Sequence, residues 1–397
     1  MHKVEDDWQM MIDRLIQKEL EECAGEYPVV TVMGPRQSGK TTLARVTFPG
    51  YQYRLLESPD VRRIAAEDPR GFLADCGDGA VIDEVQRVPE LLSYIQEIVD
   101  EKRRPGQFII TGSHQPELNQ AVCQTLAGRT AVLTLLQLSL DELAEFGRKP
   151  DAFELCHAGF YPGLHARGLS PHRFFSGYVQ TYLERDVRSL VNLRDLGGFQ
   201  KFLRLLAGRT GQLVNYSALS NDVGVSGTTI KTWVEVLKAS FIVFELQPYS
   251  AGLRKRLIRS SKLYFTDVGL VSYLLGIKTP DQLRRDPLRG NIYENMVVME
   301  FVKQRLNAGI QPELYFYRDS NGNEVDLLVS HGGVLLPVEI KSASTFTPGF
   351  LKGIDGFAKV VGDKCGPGTL LYNGDSEFEF RGVRVMNPVK HCMPSIL

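Results

Sequence analysis

The stretch Gly34-Pro35-Arg36-Gln37-Ser38-Gly39-Lys40-Thr41 narrows the folds open to this chain more than any other. It satisfies G-x-x-x-x-G-K-[ST] at every fixed position. It lies between an apolar strand pattern at 29–33 and a helical run that opens Thr42-Leu43-Ala44-Arg45. The glycines let successive backbone N–H groups curl around phosphate oxygens, and the helix N-terminus that follows favours negative charge. Residues 34–42 are therefore candidate nucleotide ligands. Lys40 would reach the β- and γ-phosphates of ATP, and the Thr41 hydroxyl would bind Mg2+. The alternative is a chance match in a glycine-rich turn, which the flanking strand and helix argue against.

A phosphate loop needs carboxylates for the metal and the attacking water. Gly79-Ala80-Val81-Ile82-Asp83-Glu84 is a short apolar strand pattern ending in two acids. Asp83 would hold the metal through water, and Glu84 would polarise the water that attacks the γ-phosphate. By itself such a pair could equally be a helix N-cap; the loop upstream favours the catalytic role. Further apolar runs at 53–56, 108–110 and 131–136 alternate with helical patterns, as in a parallel sheet covered on both faces. The run at 108–110 ends in Thr111-Gly112-Ser113, where the Ser113 hydroxyl could sense the γ-phosphate or simply end a polar strand.

These residues, with Leu-Glu-Ser-Pro-Asp-Val-Arg at 56–62, Asp-Pro-Arg-Gly-Phe-Leu at 68–73, Val-Ile-Asp-Glu-Val-Gln at 81–86 and Leu-Ala-Gly-Arg at 126–129, resemble one family. It is the prokaryotic AAA+-type ATPases that carry a C-terminal domain of unknown function. Lys-Leu-Tyr-Phe-Thr-Asp-Val-Gly-Leu at 262–270 resembles the same group. The resemblance covers nearly the whole chain and implies an AAA+ core that binds ATP and hydrolyses it. It departs at His114, where a small polar residue is expected after the sensor serine. Arg129 falls where an arginine finger or a core-domain arginine would lie, or it is a structural arginine after a helix.

Length and composition set the frame for the remainder. At 397 residues the chain is long enough for two or three domains, and 43% hydrophobic with 23% charged residues describes an ordinary globular core. The expected units are an N-terminal helix to 25, with an amphipathic pattern at 8–24, a P-loop core at 26–145 and a helical connector at 146–210. A winged helix at 211–285 and a further α/β domain at 286–397 follow. In the connector Phe174, Phe175, Tyr178, Tyr182 and Leu183, then Phe202, Leu203, Leu205 and Leu206, mark a core face. No apolar run approaches the ~18 residues of a membrane span, and the acidic N-terminus lacks a signal-peptide core. The six cysteines form no CxxC pair, which suits a reducing cytosol. His157, His165 and His172 are spaced by eight and seven, which does not place them on one helix face as zinc ligands.

Residues 214–226 read as a helix and a turn at Gly224, with Ser226 capping a second helix at 227–238. A strand at 241–246 follows, a helix-turn-helix with a wing. Arg254, Lys255, Arg256, Arg259 and Lys262 come next with no acid between 246 and 266, a cluster suited to DNA phosphates. The second helix itself offers only Lys231 and Lys238, so a structural role stays open.

Near the C-terminus, Glu294 lies on a helical pattern over 290–306. Strand patterns at 323–329 and 334–341 flank a turn at 330–333. If that turn closes a simple hairpin, residue 329 faces 334, Asp326 faces Pro337, and Asp326, Glu339 and Lys341 share a face. An acid on one strand and Glu-x-Lys on the next resemble the PD-(D/E)xK nuclease fold, with Glu294 as the helical acid and Val325 in place of the proline. The resemblance implies Asp326, Glu339 and Glu294 as Mg2+ ligands and Lys341 as the residue that positions or activates water. A charged amphipathic hairpin is the plain alternative.

The expectation is an α/β chain: an AAA+-like parallel-sheet core, a helical and winged-helix middle, and a restriction-nuclease-like end. Its function would be that of a cytoplasmic, Mg2+-dependent ATPase acting on or regulated through DNA, with Glu84, Lys40 and Lys341 catalytic and a homo-oligomer compatible with the reading. The rival is a nucleotide-switched scaffold that binds a protein partner and cuts nothing.

Overall fold

Short apolar runs separated by helices form the first sheet. β1 (Val29–Gly34), β2 (Gln52–Leu55), β3 (Ala80–Asp83), β4 (Phe108–Ser113) and β5 (Thr130–Thr134) stand in the order β2-β3-β4-β1-β5, with every pairing parallel. β1 and β4 are buried along their whole length, as central strands covered on both faces must be. β1, β3 and β4 end at the same, carboxyl, edge of the sheet. That is where open α/β sheets place ligands. In this computed structural model the described residues are 12–113, 122, 124–147, 151–183, 195–250, 260–320 and 322–390. Arg254, Lys255, Arg256, Arg259 and His114 lie outside them.

The N-terminal helix runs over Gln17–Glu26; residues 12–16 of the expected pattern are not helical, and 8–11 lie outside the described residues. The reason is local: Leu15 donates its backbone N–H to Glu142 Oε1 at 2.8 Å, and Arg14 Nε donates to the same oxygen at 2.9 Å. The chain at 14–15 is thus committed to a distant carboxylate instead of an i→i−4 ladder.

In the middle segment Phe174, Phe175 and Tyr178 gather around buried Tyr161, with ring centroids 5.1–6.0 Å apart. Phe199 and Phe202 pack on Trp233, which lies on the helix Gly227–Ala239. That helix follows Tyr216–Val223 and a left-handed Gly224 at φ +90°, and the Ser226 hydroxyl accepts the Thr229 N–H at 3.0 Å. The helix, turn and helix stand as read.

The strands after them do not form a separate wing. β6 (Val243–Pro248) pairs antiparallel with β7 (Lys262–Phe265) and parallel with β8 (Leu314–Arg318). With β9 (Glu324–His331), β10 (Val334–Lys341), β11 (Gly368–Tyr372), β12 (Phe378–Phe380) and β13 (Val383–Met386) they make one sheet. Its order is β12-β13-β11-β10-β9-β8-β6-β7. The helix Arg289–Asn307 packs on this sheet, and Lys352–Val361 packs on β9 and β10.

The β9–β10 hairpin corrects the expected register. His331 pairs with Val334 and Leu328 with Pro337, so residues 330 and 331 belong to the strand and Gly332-Gly333 alone turn the chain, at φ +56° and +83°. Two adjacent left-handed positions favour glycine in such a two-residue turn. The shift is by two residues, so parity survives: the next step of the ladder sets Asp326 opposite Glu339, on the face that also carries Lys341.

A buried polar chain joins the two sheets. Glu142, in a capping box with Ser139, accepts from Arg14, and Glu300 on the helix Arg289–Asn307 accepts the Leu140 N–H at 2.8 Å. Lys303 donates to the Leu138 carbonyl at 2.8 Å, 3.6 Å from Glu300. Burial pushes Glu300 from 4.5 up to about 7, against Lys303 and the Leu140 N–H, with Asp141 and Glu142 adding to the rise. A carboxyl whose folded pKa exceeds its unfolded value stabilises fully below the unfolded pKa and loses that contribution as pH rises through the folded one. Stability should therefore fall between about pH 4.5 and pH 7, by on the order of 1 kcal/mol or more. Urea unfolding of Glu300→Gln should show a flatter dependence across that window; an unchanged slope would assign it to other groups such as Asp267.

Candidate functional site

The phosphate loop leaves β1 at Gly34, whose φ of +154° brings the chain so close to the Leu135 carbonyl that a Cβ there would lie 2.1 Å from the oxygen. Gln37 at φ +63° and Gly39 at φ +97° turn the loop into the helix Lys40–Thr47. Pro35 and Ser38 are buried, Arg36 and Gly39 half-buried, and Gln37 and Thr42 exposed. The Ser38 hydroxyl is buried without a hydrogen-bond partner, and the Ser38 carbonyl accepts from Arg14 Nη1 at 2.7 Å. Lys40 donates to the loop's own Gly34 and Pro35 carbonyls at 3.1 and 2.8 Å, and burial lowers its pKa to about 8. A buried cation on two carbonyls and an orphaned hydroxyl form a cradle that a triphosphate fits.

Thr41 and Asp83, far apart in sequence, meet across the carboxyl ends of β1 and β3: the Thr41 hydroxyl donates to Asp83 Oδ2 at 2.9 Å. These oxygens are the pair that would hold Mg2+, Thr41 directly and Asp83 through water. Tyr53 also donates to Asp83 Oδ2, at 2.7 Å, and Thr111 donates to Oδ1. Neither Tyr53 nor Thr111 is singled out by sequence reasoning. Only the adjacency of β2, β3 and β4 reveals them. Ser113, from β4, donates to both Glu84 oxygens at 3.2 Å, and Gln86 donates to Oε2. Glu84 sits at φ +61°, a left-handed conformation that a non-glycine residue holds only when its surroundings impose it. The loop, Thr41, Asp83, Glu84 and Ser113 therefore come together.

Arg129 does not join them. Its guanidinium grips Asp100 through Nε at 2.6 Å and Nη2 at 2.8 Å, and its carbonyl accepts the Val29 N–H at the start of β1. The loop is at the other end of β1, about 17 Å away at ~3.3 Å per residue. Within one chain Arg129 cannot reach the nucleotide.

At the C-terminal site the structure brings Glu294, Asp326, Glu339 and Lys341 to one face, but not as a ready-made metal triad. Among the described residues no group of three or more His, Cys, Asp or Glu side chains is placed to hold a metal ion. Lysines stand between the acids instead. Lys341 donates to Glu339 Oε1 at 2.6 Å and to Asp326 Oδ2 at 3.2 Å. Lys262 lies 3.1 Å from Glu294 and 2.8 Å from Glu324. Lys262 is thus only 3% exposed and ion-paired, which removes it from the basic cluster expected to face phosphate. Tyr264 donates to Glu294 Oε1 at 2.6 Å. Glu339 Oε2 is buried with no hydrogen-bond donor, and burial and the neighbouring Asp326 push its pKa up to about 8. An orphaned carboxylate oxygen beside Asp326 suits a divalent cation there.

Strand order and phosphate loop define the first unit as an AAA-type P-loop domain. The AAA domain family profile matches residues 26–144. Two domains of unknown function, DUF8612 and DUF4143, match 149–281 and 289–392. Uncharacterized proteins of Mycobacterium tuberculosis and Mycobacterium bovis are each 33% identical over 323 residues, 80% of this chain and 71% of theirs. The chain belongs to the family of these mycobacterial proteins. An uncharacterized Haemophilus influenzae protein is 22% identical over 276 residues, 66% of this chain and 64% of that one. Among solved structures, a Walker-type ATPase of Pyrococcus abyssi aligns with a TM-score of 0.47 and 17% identity, over 66% of this chain and 96% of that one. No helix among the described residues is long and apolar enough to cross a membrane.

Proposed function

We propose that this chain is a cytoplasmic, Mg2+-dependent ATPase whose C-terminal site cuts DNA. The observation that carries the ATPase reading is the convergence of Lys40, the Thr41–Asp83 hydrogen bond and the Ser113–Glu84 contacts at one sheet end. When bound, Mg–ATP supplies the labile phosphoanhydride and a metal charge that steadies it. The loop amides and Lys40 hold and orient the phosphates. Thr41 and Asp83 would hold the metal, Glu84 would take the proton of the attacking water, and Ser113 fixes the Glu84 carboxylate. A role for Arg129 as a finger requires a neighbouring copy in a homo-oligomer.

The nuclease reading is supported by the order helix, β8, β9, β10, helix, β11, with β8 to β10 antiparallel and β11 parallel to β10. It is supported further by Asp326 and Glu339-Ile340-Lys341 side by side. Asp326 and Glu339 would hold a divalent cation that lowers the pKa of a bound water, and Lys341 would position that water. The buried chain from Ser38 through Arg14 and Glu142 to Glu300 ends on the helix that carries Glu294, a physical route between the sites.

One observation favours the scaffold reading. The exposed face of the helix Gly227–Ala239 presents Thr228, Lys231, Thr232 and Glu235, and Lys238 is held by Glu235 and Glu245. Such a face carries no net charge toward phosphate. The test is a titration of Mg2+ and ATP against supercoiled and single-stranded DNA. Nicking, or hydrolysis stimulated by DNA, is the expected result. Neither, with intact ATP hydrolysis, would leave the scaffold.

A further inference from the structure

The C-terminal acids carry a cation from a different part of the sequence. Lys262 is on β7, within residues 149–281, whereas the acids it meets, Glu294 on the helix and Glu324 on β9, lie within 289–392. Its ammonium is buried between them at 3.1 and 2.8 Å, 5.5 Å from the centre of the Phe316 ring, and Tyr264 two residues on donates to the same Glu294 oxygen. This arrangement exists because β6 and β7 join the C-terminal sheet. The site is a joint product of both units.

Two-metal phosphodiester sites place two divalent ions close together between shared carboxylates. Here the Lys262 ammonium stands between Glu294 and Glu324. We propose that Lys262 substitutes for a second divalent cation at Glu294 and Glu324, so that the site takes one metal ion, at Asp326 and Glu339.

The charge count agrees. Glu294, Glu324, Asp326 and Glu339 are faced by Lys262, Arg318 and Lys341, with Arg318 3.3 Å from Glu324. With all four carboxyls ionised, as a bound cation would hold them, that leaves one formal negative charge, in the half of the site where Glu339 Oε2 is buried without a donor. One divalent ion is enough to reverse the sign; a second would leave a large excess of positive charge in a buried space. Glu294 and Glu324, by contrast, already have their cation, and a metal ion would have to expel the lysine into the protein interior to reach them.

This inference rests on the metal-dependent nuclease reading for the Asp326 half, and the Lys262 half is tested independently of it. Mn2+ binding to the nucleotide-free full chain is counted by electron paramagnetic resonance, so any contribution from the phosphate loop is common to all variants. Lys262→Met should bind one additional Mn2+ per chain, lost again when Glu294→Gln is added, whereas Lys262→Arg should bind as the parent does. An unchanged count in Lys262→Met, with ATP binding retained as proof of folding, would overturn the proposal. A second measurement avoids that variant altogether. Glu294→Gln in the parent chain should leave Mn2+ affinity within about threefold, while Asp326→Asn should weaken it at least about tenfold. Equal losses in both would also overturn it. If the parent chain binds no Mn2+ at Asp326 but Lys262→Met gains a site, the nuclease reading fails and the substitution by Lys262 stands.

Discussion

Glu84→Gln should bind Mg–ATP as the parent chain does and turn it over roughly 10²–10⁴-fold more slowly, the range that loss of a positioned general base produces. The amide keeps the shape of the carboxylate, so Ser113 still has an oxygen to donate to and the left-handed turn at residue 84 is undisturbed. What is lost is the proton acceptor. Lys40→Ala is the contrasting variant: it removes the buried ammonium from the loop, so binding itself should fail. A fluorescent-nucleotide titration paired with single-turnover hydrolysis separates the two effects. Hydrolysis by Glu84→Gln within about threefold of the parent would take that residue out of the base role.

The P-loop unit was legible because its chemistry is local. A strand, a glycine loop and a lysine are contiguous, and β3 announces its acids by ending in them. Tyr53 and Thr111 were not legible, because their contact with Asp83 arises only when β2, β3 and β4 lie side by side in parallel. The hairpin shows a middle case. Its turn is two residues shorter than the sequence pattern reads, yet the face shared by Asp326, Glu339 and Lys341 depends only on parity and is the same in either register. Lys262 shows the opposite failure. By sequence it extends a run of basic residues, and only the joining of β7 to the distant sheet buries it among acids. For Arg129 the sequence leaves a nucleotide contact and a structural role open, because position after a helix says nothing of which end of the sheet it reaches; its grip on Asp100 is the structural one.

Asp326→Asn should abolish DNA cleavage, at least about 10²-fold, and leave ATP hydrolysis within about twofold of the parent. Asparagine is the informative replacement because Asp326 Oδ2 also accepts the Ile340 N–H at 2.8 Å, a bond between β9 and β10 that an amide oxygen preserves and alanine would break. The change then removes charge, not structure. Lys341→Met separates metal from water. It takes the ammonium from between Asp326 and Glu339, so a divalent ion should bind there at least as well, while the water that Lys341 would position loses its partner and cleavage should fall. Cleavage lost with metal in Asp326→Asn, but lost without it in Lys341→Met, is the pattern this chemistry requires. Matched nuclease and ATPase assays with Mg2+ and Mn2+, on supercoiled, linear and single-stranded substrates, supply the comparison. If the parent cuts none of them and holds no Mn2+ at Asp326, the C-terminal site is a binding surface. The ATPase would then switch a scaffold in place of driving a nuclease.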